Sequence, residues 1–359
     1  MEGDKFHTAI LTQKVCYNWL MQNKKQNEIS HIYLQGSDLA EREQDVLRDA
    51  SEKLGFEVDK ISGRSSWWGS KEIGAFFAKG SFKGQEAVLK IQGVKPTVSE
   101  AYNIRQFERT NKSTIVRPPK IYAHLPWNEE KRYEALVLEP AGKKIVSTPT
   151  NQEEIKKFFE AYVEYRSNCL NTPWLNKPEQ TASERIKENF DNWIKSSFKL
   201  FSKHPFREKG DQNLIEKGVS ILIKEYQETE LEFMHGHFSE ADLYEKDGQI
   251  VLLSNLYWGY RPTLYDAIFG MHWFILHLVN VEHITPEKIE EQRKLWINEI
   301  ENLEAVKENE NFYRLALLER AAAGLNLDAL SVGISGEIAQ YLVESTRDQV
   351  KMLISELSS

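Results

Sequence analysis

A single change of period constrains this chain more than any other feature. From Phe56 to about Ile145, apolar and polar residues alternate in short runs. Beyond Thr150 the apolar positions recur every three or four residues. The alternating runs are Phe56–Ile61, Glu72–Phe77, Glu86–Ile91, Lys120–Ala123 and Glu134–Glu139, all predicted to be strands. A Gly80…Gly84 turn joins the second and third as a hairpin. One helix, Ser99 to Glu108, is set among them, with Ser99 as its cap and Ile104 and Phe107 on one face. Pro118-Pro119 bars helix before the next strand.

After the switch, Ile155, Phe158, Phe159, Tyr162 and Val163 make one apolar stripe. Ile289, Trp296, Ile300 and Leu303 make another, as do Ile338, Tyr341, Leu342 and Ser345. Only Leu231–Asn255 interrupts, with short strands around Gly248. The prediction is an α+β, bilobal protein: a small antiparallel-sheet lobe over 56–145 and a larger, mainly helical lobe over 146–359. The boundary is Val146–Asn151. Residues 1–55 form an N-terminal helical extension, with helices over 8–25 and 38–54 flanking His31–Leu34. Ser37 or Asp38 caps the second helix and Gly55 ends it.

At 359 residues, 41% of them hydrophobic, the chain can build two cores. Nine tryptophans and an 11% aromatic share indicate a well-filled interior. Net charge is -8, and the basic residues come as isolated pairs (Lys24-Lys25, Lys143-Lys144, Lys156-Lys157), so nucleic acid is not an expected partner. Cys16 and Cys169 form neither a CxxC motif nor a ligand cluster, which points to a reducing, cytoplasmic compartment. The most apolar stretch, Ala267 to Val281, is broken by His272, His277 and Asn280 and is too short for a membrane span. The N-terminal residues lack the apolar core of a secretory signal.

Two constellations carry possible chemistry. Lys90 ends the strand Ala87–Ile91, and Glu100 opens the following helix. An inward-facing lysine needs a partner, because an unpaired buried ammonium is costly. Glu100 would supply one; the alternative is a surface lysine beside a solvated glutamate. The second constellation is His235-Gly236-His237-Phe238-Ser239-Glu240-Ala241-Asp242. It is followed by the turn Lys246-Asp247-Gly248, the run Ile250–Asn255, then Gly259-Tyr260-Arg261-Pro262 and Tyr265-Asp266. Zinc ligation by His235 and His237 is the rival reading, but no further Cys, His or carboxylate sits at a spacing that completes the set.

Together these blocks, over residues 56 to 330, resemble the aminoglycoside phosphotransferase branch of the protein-kinase-like fold. The strand lysine and helix glutamate correspond to Lys90 and Glu100. The segment Ile115–His124 is similar to the proline-marked run of that family. Glu134–Gly142 is similar to its hinge, which implies that backbone groups at Leu138 and Glu139 hold an adenine. HGHFSEAD stands where the family has HGDxxxxN, and Leu318-Glu319-Arg320 through Leu327-Asp328 resembles its C-terminal helical region. The resemblance implies ATP or another nucleotide as cofactor and a small-molecule substrate.

The departures bear on activity. An aspartate that orients the substrate hydroxyl, an asparagine on Mg²⁺ and a second aspartate on Mg²⁺ are what this chemistry uses. Here the positions read His237, Asp242 and Ser254, and a slip of one residue puts Asn255 in place of Ser254. Neither serine nor asparagine brings negative charge, so Mg²⁺ is expected to be held poorly. The glycine loop, Gly63 to Ser70, lacks GxGxxG. Gly63, Gly69 and Gly74 would let backbone approach a phosphate, while Trp67 and Trp68 either crowd it or cover the sheet.

Three functions remain open: a pseudokinase or weak phosphotransferase that binds nucleotide, an active kinase in which Asp242 and Asn255 exchange the usual charges and His237 is a neutral base, and a non-catalytic binding or scaffold module. Glu179, Glu184, Glu188 and Asp191 would line a pocket for a cation, or lie on an exposed helix face. The N-terminal 55 residues, with Trp19 and Leu20, lie outside the resemblance and would suit a protein partner.

Overall fold

The computed structural model describes residues 37–66, 73–170 and 172–358. The chain begins with α1 (Ser37–Leu54), β1 (Phe56–Ser66), β2 (Ile73–Phe82), β3 (Gln85–Gln92) and α2 (Glu100–Thr110). Short β4 (Val116–Arg117), then β5 (Ile121–Asn128), β6 (Tyr133–Leu138) and β7 (Lys143–Lys144) follow. Next come α3 (Gln152–Glu164), α4 (Ala182–Leu200), α5 (Asp211–Glu225), β8 (Glu232–Met234), β9 (Leu243–Lys246), β10 (Gln249–Leu252) and β11 (Gly259–Arg261). The chain finishes with α6 (Tyr265–His277), α7 (Pro286–Glu301), α8 (Glu304–Glu308), α9 (Glu310–Ala323) and α10 (Glu337–Leu357).

Two compact units emerge. The first takes the described part of Met1–Arg109 with Arg117–Lys143 and Tyr244–Leu256; the second takes Thr110–Val116, Lys144–Leu243 and Tyr257–Ser359. Residues 244–256, which the change of period counts within 146–359, group with the sheet unit. Their strands belong to a four-stranded sheet ordered β4-β10-β9-β7, and such pairing leaves no local signature in the sequence.

The main sheet of the first unit is antiparallel, in the order β1-β2-β3-β6-β5. Strand β6 is buried throughout. Its Tyr133, Ala135 and Val137 pack with Val46 and Ala50 of α1, while Leu136 and Leu138 pack with Ala101 and Ile104 of α2. The helix over 38–54 is therefore a layer of this core, and burying Val46 alone contributes about 1.5–3 kcal/mol. Gly55 ends it in the left-handed region, at φ 66. The helix predicted over 8–25 and the run His31–Leu34 lie outside the described residues.

The β2–β3 hairpin turns on Lys83 and Gly84 alone, both left-handed at φ 52 and φ 77. That is the two-residue geometry matching strand twist. Gly80, placed in the turn by its sequence position, sits instead inside β2 opposite Val58. A Cβ there would lie 1.9 Å from the Glu57 carbonyl oxygen, so close strand approach requires the glycine.

In the second unit, Asn151 caps α3 by accepting from the Glu154 N–H, and Thr285 caps α7 by accepting from that of Lys288. Ile155, Phe158, Phe159 and Tyr162 are buried as their spacing demands, whereas Val163 is 50% exposed. Trp296 of α7 lies edge-on to Phe158 and Phe159, with ring centroids 4.7 and 5.6 Å away. On α10 the buried face comprises Ala339, Leu342, Val343, Thr346 and Val350, rotated from the predicted stripe so that Ile338, Tyr341 and Ser345 are half-buried. Helix α6 is buried on almost every side. Among the described residues no helix is long and apolar enough to cross a membrane.

Candidate functional site

In the first unit, Lys90 of β3 is paired in register with Phe77 and Leu136. Its ammonium forms an ion pair with Glu100 and stands 5.6 Å from the Phe77 ring centroid. The residues are 9% and 5% exposed, so the pair is buried and each charge depends on the other.

The first turn of α2 is fixed to the sheet. The Ser99 hydroxyl donates to the Glu134 carboxylate, which also meets His124 Nε2 at 2.8 Å. Ser99 stands at the cap position, its carbonyl accepting from the Asn103 N–H at 3.1 Å, and its hydroxyl anchors the helix start to β6. One turn beyond Glu100, the buried Asn103 donates to the Asn255 backbone carbonyl at 2.9 Å. The contact holds the segment after β10 against α2. Asn103 was missed in the sequence, where the only clue is its one-turn spacing from Glu100.

The hinge positions are engaged internally. The Glu139 N–H donates to the Lys120 carbonyl at 3.0 Å. Its side chain pairs with Arg117, accepts from the Lys120 N–H at 2.8 Å and faces Lys246 Nζ at 3.4 Å. Burial opposes that charge, but these donors hold the Glu139 carboxyl below its usual range. Lys246 also donates to the Pro140 carbonyl at 2.9 Å. Leu138 closes β6, opposite Val88 and Ile121. Gly63 lies in β1 opposite Phe77, at a register irregularity, while Trp67, Trp68 and Gly69 lie outside the described residues.

Of the second metal position's two candidates, Ser254 adopts a left-handed backbone at φ 57. Such a conformation is uncommon for a residue with a side chain. Asn255 is fully buried and its amide donates to the Leu252 carbonyl at 2.8 Å. Both belong to the first unit, whereas Asp242 belongs to the second.

In the second unit, β8 delivers the loop His235–Asp242. Its backbone is pinned from beneath. The His235 N–H donates to the Tyr165 hydroxyl, which donates in turn to Asp266 Oδ2 at 2.9 Å. The Phe238 N–H also supports Asp266, whose carboxyl is nevertheless raised by burial. Gly236 is left-handed at φ 76, and a Cβ there would lie 2.6 Å from the Tyr257 carbonyl oxygen, so the loop can turn here only on glycine.

The two positions that resemble the catalytic base and the metal ligand bond to each other. His237 Nδ1 lies 2.8 Å from Asp242 Oδ2, and the Ser239 hydroxyl donates to that same oxygen. Burial alone would raise the Asp242 carboxyl; His237 and Ser239 draw it down to about 2. Burial likewise disfavours a charged imidazole, but Asp242 outweighs it and His237 is pushed up. The imidazole stacks on Tyr257 at 4.5 Å and meets Phe269 at 4.9 Å, with about a third of the side chain exposed (33%). Nδ1 is thereby committed to Asp242.

Within the second unit, the pairing with His237 leaves the Asp242 carboxylate a poor Mg²⁺ ligand, and among the described residues there is no group of three or more His, Cys, Asp or Glu that could hold a metal. Glu100 fixes the direction of the Lys90 ammonium through their buried ion pair. The carboxylates proposed to line a cation pocket (Glu179, Glu184, Glu188 and Asp191) are all exposed, and Glu184 closes a capping box with Thr181 at the start of α4.

No protein-family model and no curated protein matches the sequence. Solved structures do match. A thermostable mutant of aminoglycoside phosphotransferase APH(4)-Ia superposes with a TM-score of 0.55 at 12% identity, covering 86% of this chain and 98% of that one. Choline kinase from Cryptosporidium parvum gives 0.52 at 13% identity, covering 88% and 96%. Identity this low speaks to architecture alone. With its antiparallel sheet unit, its helical unit and this coverage, the chain has the kinase-like fold shared by aminoglycoside phosphotransferases and choline kinase.

Proposed function

We propose that this protein is a nucleotide-binding pseudokinase, or at most a very slow phosphotransferase, built on the small-molecule kinase fold. The observation that carries the reading is the 2.8 Å contact between His237 Nδ1 and Asp242 Oδ2. Base and metal ligand must act separately, one on the acceptor hydroxyl and one on the phosphate-bound ion. Here they neutralise each other. Nucleotide binding is supported by the buried Lys90–Glu100 pair and by the ternary complexes of the structural neighbour with ADP or AMP-PNP.

The test is ATP binding measured with and without Mg²⁺, followed by an ATPase assay. We expect binding that Mg²⁺ barely changes, weakened by Lys90→Met, and no measurable turnover. Strong Mg²⁺ enhancement lost in Asp242→Ala would refute it.

A second reading has one specific support. A histidine whose Nδ1 is held by a carboxylate presents Nε2 as a base, and the Asp242–His237–Tyr257 arrangement has that form. Metal-independent phosphoryl transfer lost in both His237→Ala and Asp242→Asn would establish it.

A further inference from the structure

Between the end of α3, the start of β8, the turn before α6 and the start of α8, the second unit leaves an open cavity of about 190 Å³. Tyr162, Val163, Leu264, Leu303 and Ala305 supply its apolar lining. Val163 is the member of the α3 stripe that stays exposed, whereas Tyr162, Leu264 and Leu303 are buried. A cavity of about 150 Å³ walled by apolar side chains admits benzene. The space here therefore has room for a ring-sized molecule.

Three irregularities meet at this cavity. The chain leaves α3 through a π-helical turn, Tyr165–Cys169, which brings Arg166 and Ser167 into the lining. Such turns recur at functional sites. Leu264, buried at 2% exposure, holds a left-handed backbone at φ 65. That conformation is strained for a bulky side chain, and strain of this kind concentrates at ligand clamps. Tyr162 is only 7% exposed, yet among the described residues its hydroxyl has no hydrogen-bond partner. A buried tyrosine hydroxyl ordinarily has one. Burial pushes the Tyr162 pKa up, so the group is a donor at any ordinary pH.

The charges in the lining decide which class of molecule fits. Arg166 pairs with one oxygen of Glu232 and donates to the Phe233 carbonyl at 3.1 Å, while the Thr263 hydroxyl donates to the other Glu232 oxygen. Both of these charges are matched within the protein. Glu304, the remaining charged residue, is exposed to solvent. It disfavours an anion, and an ammonium placed on so exposed a carboxylate gains little. We propose that this cavity binds an uncharged, ring-sized molecule whose hydrogen-bond acceptor meets the Tyr162 hydroxyl. Apolar walls with a few polar groups that fix orientation are the usual make-up of a small-molecule site. None of these residues takes part in the proposed nucleotide binding.

The experiment is a ligand-observed saturation-transfer NMR titration of the full chain with acetophenone, toluene, benzoate and benzylamine, repeated for Tyr162→Phe and Val163→Trp. Acetophenone carries the ring and a neutral carbonyl acceptor, toluene lacks the acceptor, and the other two are ions. The expected result is acetophenone binding about fivefold tighter than toluene, the effect of one hydrogen bond, with both ions weaker than acetophenone. Tyr162→Phe brings acetophenone down to the level of toluene. Val163→Trp, made at an exposed position of α3, fills the cavity and abolishes binding of both. If Tyr162→Phe does not fold, Val163→Trp and the wild-type order of affinities decide the matter. No acetophenone binding, equal affinity for acetophenone and toluene, tighter binding of either ion, or binding that Val163→Trp leaves unchanged each overturns the site.

Discussion

Replacing Asp242 by asparagine should make this protein less stable. In the wild type the Asp242 carboxyl is drawn from 3.8 to about 2, chiefly by His237 against the opposing effect of burial. At about 1.4 kcal/mol for each tenfold change in proton affinity, that difference corresponds to about 2 kcal/mol. Since a third of the His237 side chain is exposed, solvent screening trims the expected cost of Asp242→Asn to about 1–2 kcal/mol. The pH dependence has a definite sign. The depressed Asp242 stabilises fully above 3.8 and loses its contribution as pH falls through about 2. The raised His237 stabilises fully below 6.5 and loses its contribution as pH rises through its folded value. The cost of Asp242→Asn, read from urea unfolding curves, should therefore be greatest between about pH 4 and 6.5 and shrink by pH 9. An asparagine variant as stable as wild type at pH 6, or one whose deficit is the same at pH 6 and pH 9, would refute the ion-pair account.

Removing one member of the buried Lys90–Glu100 pair, as in Glu100→Ala, should cost about 3–5 kcal/mol in urea unfolding, whereas Lys90→Met with Glu100→Leu should return stability to near wild type. That doubly substituted protein should have lost ATP binding, which a calorimetric titration reads directly. Glu319, raised by burial to about 7, contributes fully below 4.5 and loses that contribution as pH climbs through 7. Glu319→Gln should accordingly be more stable than wild type at pH 8, by up to about 3 kcal/mol, and no more stable below pH 4.5, as thermal melts at the two pH values would show.

Much of this protein is determined by local order alone. Side-chain alternation in a strand and the 3.6-residue turn of a helix are properties of short segments, so strands β3 and β6 and the stripe Ile155–Tyr162 could be read directly. A lysine among strand apolars likewise announced that it would need a partner. Tertiary structure decided the rest, because the contacts concerned join residues that no local pattern relates. Asn103 reaches Asn255 across 152 positions, and Asp49 of α1 meets Tyr133 of β6. Gly80 entered a strand because β1 runs too close for any side chain. Even the neighbours His237 and Asp242 belong here, since an irregular loop has no period to state which side chains will meet. Their pairing follows from how Tyr165, Asp266 and Gly236 bend the backbone and from the burial that leaves each charge no better partner than the other.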